Sequence, residues 1–176
     1  MRKIDNTEQP TIPYDSWTIE IHDTSLRKID PSKISLYVSP EQKTGYVEGI
    51  ELQKQLKGKK PLNATVLDWL IEHPEYIPDE WKGKYVFFWG TIYRDSDGSL
   101  CVRCLCFSGG HWRQNYDWLD RGWDADGPSA VAASPLDSDT HPSLETLPLA
   151  LSDIPQNINA AIEMLKKEGF TITKTF

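Results

Sequence analysis

The chain has 176 residues, 39% hydrophobic and 26% charged. That is enough apolar material for one globular core and too much for a disordered chain. Its formal charge of −7 and isoelectric point near 5.1 argue against a nucleic-acid backbone or an anionic membrane as partner. No apolar run approaches the roughly 18 residues of a membrane span. The first eight residues carry no apolar signal-peptide core, so a soluble, cytoplasmic protein is expected.

Residues 1–16 are polar, contain Pro10 and Pro13, and read as a loose N-terminal arm before a single globular domain over 17–176. Residues 17–22 (Trp-Thr-Ile-Glu-Ile-His) alternate with period two, which predicts a half-buried strand. Trp17, Ile19 and Ile21 face one way. Thr18, Glu20 and His22 face the other. A second short strand is expected over 34–38, ended by Ser39-Pro40.

The spacing predicts a helix over 46–57, weakened by Gly49 and ended at Gly58. A clearer helix begins at Asn63, a good N-cap, and runs to about Glu72. Val66, Leu67, Leu70 and Ile71 share one side of it. His73-Pro74 stops it, because the residue before proline is pushed out of the α region. Pro78-Asp79-Glu80-Trp81 reads as one helical turn.

Residues 84–133 are the organising stretch and hold more than half of the aromatic residues. Residues 85–94 form a strand apolar on both faces, Val86, Phe88 and Ile92 on one, Tyr85, Phe87, Trp89 and Tyr93 on the other. Asp95-Ser96-Asp97-Gly98 is a hairpin turn. Residues 100–107 return with Leu100, Val102, Cys104 and Cys106 on one face. Ser108-Gly109-Gly110 turns again, and 111–119 completes a three-stranded meander. An edge strand is expected over 129–133. Residues 134–151 read as a surface loop, 154–167 as the most amphipathic helix, and 170–175 as a last strand. The expected fold is α+β: a mainly antiparallel sheet, the meander of 84–133, packed by two to three helices.

The excess negative charge falls mainly in and after this sheet: residues 95–139 carry eight Asp against three Arg. Asp117, Asp120, Asp124 and Asp126 stand among Trp112, Tyr116, Trp118 and Trp123, with Arg113 and Arg121 between them. Aromatics and arginines make binding hot spots. Paired carboxylates beside aromatics also serve glycoside hydrolysis. The alternative is that the tryptophans are core and the aspartates turns.

Cys101, Cys104 and Cys106 with His111 invite a metal or catalytic-thiol reading. Cys101 points away from the other two on a strand, so small buried thiols explain the set better. Three close cysteines form no disulfide framework and fit a reducing compartment. Asp95-Ser96-Asp97-Gly98 opens like a calcium loop, but the twelfth position, which needs a bidentate acid, is Cys106. His22, His73 and His141 stand apart. No cofactor, metal or catalytic set is expected.

Two phrases carry a resemblance: Leu62-Asn63-Ala64-Thr65-Val66-Leu67-Asp68, and Trp81-Lys82-Gly83-Lys84 running on into Phe87-Phe88-Trp89-Gly90-Thr91-Ile92-Tyr93-Arg94. Over residues 62 to 134, less than half of the chain, the sequence resembles an uncharacterised group of bacterial proteins, many from environmental genomes. The resemblance implies a bacterial origin and transfers no activity or site residue.

The expected function is therefore a non-catalytic binding or inhibitory protein. Its acidic, aromatic surface over about 112–126 would meet a basic protein or a small polar ligand. The alternative is a carboxylate-dependent, glycosidase-like hydrolase using two of Asp117, Asp120, Asp124 and Asp126.

Overall fold

The computed structural model describes residues 2–133, within the unit formed by 1–138. The loop expected at 134–151, the helix at 154–167, the strand at 170–175 and His141 lie outside the described residues.

In chain order the strands are β1 (Ile4–Asp5), β2 (Thr18–His22), β3 (Lys28–Ile29), β4 (Ile34–Tyr37), β5 (Val47–Glu48), β6 (Val86–Arg94), β7 (Leu100–Ser108), β8 (His111–Trp118), β9 (Gly122–Trp123) and β10 (Ser129–Ala132). The helices are α1 (Pro40–Thr44), α2 (Gly49–Gln55) and α3 (Ala64–Glu72), with a 3-10 turn at Asp79–Trp81. The fold is α+β, and strand content dominates.

α3 forms where the sequence places it. The Asn63 side chain accepts from the Thr65 N–H, and Val66, Leu67 and Leu70 are buried against the sheet. Burying each of these is worth about 1.5–3 kcal/mol. The helix expected over 46–57 is shorter. Val47 and Glu48 pair with Trp123 and Gly122 instead, so the chain stays extended until Gly49. One helix was hidden behind Ser39-Pro40. The Ser39 hydroxyl accepts from the Gln42 N–H while the Gln42 side chain accepts from the Ser39 N–H, a reciprocal cap that starts α1.

The main sheet runs β4-β10-β6-β7-β8. β6 also pairs with β2 through its second half. The meander β6-β7-β8 is antiparallel throughout. β10, expected at an edge, instead lies inside the sheet, antiparallel to β4 and parallel to β6. Among the described residues β8 is an edge strand.

Two bulges redirect side chains that simple alternation misplaces. In the β6–β7 ladder the register slips between Phe87 and Ile92. Ile92 thereby joins Phe87 and Trp89 on one face, while Tyr93 faces the other way with Cys101. Gly90 sits in this bulge, where a Cβ would come within 2.8 Å of the Leu62–Asn63 backbone. In β2 the slip between Ile19 and Ile21 leaves Ile21 exposed and half-buries His22.

Both faces of the sheet are covered. α3, Trp81, Val86, Phe88 and Leu105 build one core. Leu52, Leu56, Phe87, Trp89, Val102, Trp123 and Val131 build the other, beneath α2. The polar N-terminal stretch is packed down onto the first of these: β1 pairs with β3, and Ile4 is buried.

Candidate functional site

A cleft of about 320 Å³ opens on the α2 face of the sheet. Phe87, Cys104 and Trp123 form its inner wall. Asn115 and Asp117 of β8, Asp124 and Asp126 of the β9–β10 loop, and Tyr85 line the rest. Among the described residues no lysine, arginine or histidine lines it. An apolar floor with a few polar groups at its margin is the common form of a ligand site.

Local chemistry holds each wall. The Asp124 carboxylate accepts from the Asp126 N–H at 3.0 Å, and the Gly127 N–H donates to the Asp124 carbonyl at 3.2 Å. The buried Gln42 amide then donates to the carbonyls of Asp124 and Gly127, both at 2.9 Å. The cap of α1 thus pins the far wall of the cleft. The Trp123 indole lies over Gly49, where a Cβ would stand 2.3 Å from Cζ3, so only glycine fits. Its ring meets Phe87 at 5.4 Å and Trp89 at 5.1 Å. The buried indole N–H groups of Trp89 and Trp123 have no partner among the described residues.

The cluster singled out in the sequence divides between two faces. Tyr116, Asp117, Trp123, Asp124 and Asp126 line the cleft. Trp112 packs on Phe107 with ring centres 5.2 Å apart, alongside the α3 core. Trp118 belongs with Trp17, Tyr93 and Cys101, and its indole donates to the Asp95 carboxylate at 2.8 Å. Arg113 is exposed opposite Cys106, and Asp120 is exposed in the turn after β8. Arg121 stacks 4.9 Å over Trp118 and pairs with Asp117 at 3.3 Å. Strand alternation is the cause: residues 112, 116 and 118 share one side of β8, and 113, 115 and 117 the other. The side chain of Tyr116 packs on Trp17, with centroids 4.7 Å apart, while the residue borders the cleft.

The other chemistry raised by the sequence falls into structural roles. Cys101 and Cys104 are buried and Cys106 half-buried, and all three thiols are free. Burial pushes the Cys101 thiol up to about 12 and raises Cys104 further, so neither is a ready nucleophile. His111 sits in the β7–β8 turn, its Nδ1 2.9 Å from the Gly109 carbonyl. Among the described residues no three His, Cys, Asp or Glu side chains gather as a metal site. Asp95 is a hairpin residue whose carboxylate accepts from the N–H groups of Asp97 and Ser99. His73 stacks on Trp69 at 4.2 Å. His22 Nδ1 lies 2.9 Å from the Thr91 hydroxyl.

Arg103 lies outside the cluster singled out in the sequence. It is 1% exposed, on the sheet face opposite the cleft. Its guanidinium donates to Asp68 Oδ1 at 2.6 Å, to the Thr11 carbonyl at 3.0 Å, to the Tyr93 hydroxyl at 3.3 Å and to Gln114 Oε1. Burial opposes its charge, and the bonds to Asp68 and Tyr93 outweigh that, so its pKa lies above the ordinary value. A second cavity of about 210 Å³ adjoins it, lined by Pro13, Tyr14, Arg103, Gln114, Asn115 and Tyr116. The sequence signal was available. Cys101, Arg103 and Leu105 share one parity of an otherwise apolar strand, and an inward arginine there requires a buried acid.

No protein-family model, curated protein or solved structure matches the chain. Among the described residues no helix is long and apolar enough to cross a membrane.

Proposed function

We propose that the protein is a non-catalytic binding protein, acting by occupying or inhibiting its partner, and that the cleft takes a cationic group. The observation that supports this is the lining itself. Asp117, Asp124 and Asp126 surround an aromatic floor of Phe87 and Trp123, and among the described residues no basic one lines the cleft. A lysine or arginine side chain supplies both an apolar stem for the floor and a charge for the rim. The Asp117–Arg121 pair at the margin is largely exposed, and such pairs are weak, so a ligand cation displaces Arg121 at small cost.

The hydrolase alternative has less behind it. Asp117 already accepts from the Trp118 N–H and pairs with Arg121, and Asp124 accepts from the Asp126 N–H. Asp120 does not line the cleft. A cytoplasmic location accompanies the binding reading, since three free thiols persist most readily in a reducing compartment.

The test is a calorimetric titration with Nα-acetyl-lysine methylamide, beside its glutamate counterpart. The wild-type chain binds the lysine probe and not the glutamate one. The Asp124→Asn/Asp126→Asn variant, which keeps the turn-forming side-chain oxygens, loses about tenfold in affinity. Equal binding of both probes, or full affinity in the variant, overturns the proposal.

A further inference from the structure

The acidic cleft and the Arg103 cavity meet at the same short piece of chain. The cleft is lined by Asn115, Tyr116 and Asp117, and the cavity by Gln114, Asn115 and Tyr116. They lie on opposite faces of the sheet, because Asn115 stands opposite Cys104 in the ladder and Tyr116 opposite Arg103. The shared piece is the middle of β8, the edge strand among the described residues.

The backbone of that edge is turned outward. The N–H groups of Tyr116 and Trp118 do not bond to β7. Each donates instead to the side chain before it, Asn115 Oδ1 and Asp117 Oδ1, both at 2.9 Å. These are local, replaceable caps on a strand edge that a further strand can pair with.

We infer that an extended, basic segment of a partner protein adds to β8 as a further strand. In such pairing main-chain hydrogen bonds supply affinity, and alternate side chains drop into pockets on the two faces. A lysine or arginine of the segment enters the acidic cleft. The adjacent residue, projecting to the other face, meets Tyr14, Gln114, Tyr116 and Arg103, a set suited to an amide or carboxylate side chain. Charge complementarity selects the occupant, since the cleft is lined by three aspartates and, among the described residues, by no base. The segment's carbonyl oxygens take over from Asn115 Oδ1 and Asp117 Oδ1 as acceptors for the Tyr116 and Trp118 N–H groups, while its own N–H groups donate to the outward carbonyls of β8. This inference rests on the cleft reading and adds to it the form of the ligand.

The experiment pans a displayed library of nine-residue peptides against the immobilised full chain, with the Asp124→Asn/Asp126→Asn variant as counter-selection. The enriched peptide is then synthesised with two analogues, N-methylated at two successive residues beside its basic one. Strand addition predicts a basic residue next to an amide or acid. It also predicts that one analogue loses about tenfold in affinity while its neighbour keeps it, since only alternate N–H groups face β8. Two analogues that both bind like the parent, with binding still lost in the variant, overturn strand addition and leave the cleft reading standing. Failure to enrich any basic peptide overturns both. Hydrogen exchange on the chain alone covers the other occupants. Amides at Tyr116 and Trp118 as protected as those paired between β7 and β8, beyond what their side-chain caps give, assign the edge to a second copy if the chain sediments as a dimer. In a monomer they assign it to a segment of the same chain. Either result overturns the proposal.

Discussion

Removing Asp68 leaves the buried guanidinium of Arg103 without a carboxylate. Arg103 is 1% exposed and Asp68 24%, so the pair is shielded on the arginine side and open to water on the other. Breaking a buried pair by removing one partner costs about 3–5 kcal/mol. The partial exposure of Asp68 places Asp68→Ala at the low end, about 3 kcal/mol. With a urea dependence of roughly 2 kcal/mol per molar, the midpoint falls by about 1.5 M. The loss has a local signature too. Asp68 Oδ2 accepts from the Thr11 N–H at 2.7 Å, and Arg103 and Tyr93 both donate to the Thr11 carbonyl. Thr11 amide exchange therefore quickens by more than the global loss accounts for. The double variant Arg103→Met/Asp68→Ala removes the stranded charge and is less damaging than Asp68→Ala alone. Urea titration of the three proteins decides it. A single-variant loss below about 1 kcal/mol, or a double variant worse than the single, refutes the reasoning.

Two further outcomes follow from the perturbed groups. A disulfide reagent at pH 8 reacts first with Cys106, while Cys101 and Cys104 wait for unfolding, because burial raises both thiols and the thiolate is the reactive form. Prompt labelling of all three in the native protein contradicts this. The Trp118 indole, with backbone N–H groups of the hairpin, holds the Asp95 carboxyl below its ordinary range. A depressed folded pKa contributes stability above the unfolded value, near 3.9, and loses it as pH falls through the folded one. Melting temperatures from pH 6 to pH 2.5 therefore decline less steeply below about pH 4 in Asp95→Asn than in wild type, and parallel curves sink the assignment.

The parts of the fold legible in the sequence are those fixed by local chemistry. Asn63 caps α3, Pro74 stops it, and the Asp95–Gly98 turn joins β6 to β7, each through groups within a few residues of one another. What was not legible depends on distant partners. Val47 and Glu48 are extended because Trp123 and Gly122 pair with them. β10 is internal because β4 and β6 close on it. The bulge at Gly90 answers the backbone of Leu62 and Asn63, and it reverses the faces of Ile92 and Tyr93.

The site divides along the same line. The carboxylates and Trp123 come together because the turn after Trp123 folds back under Gln42, a contact 82 residues away in sequence. Trp112 and Trp118 lie elsewhere by the alternation of β8, a regularity the sequence does contain. Arg103 stands out by its parity on β7, but its acid was hidden, because Asp68 stands on a helix 35 residues away.

The cleft as a cation site is tested most directly by where a cation lands. In nitrogen–proton correlation spectra, Nα-acetyl-lysine methylamide is expected to shift the Trp123 indole and the amides of Gly122, Asp126 and Gly127. The indoles of Trp112 and Trp118, on the opposite face, stay in place. Shifts centred on Trp112 and Trp118, or none near Trp123 at saturating probe, contradict the assignment.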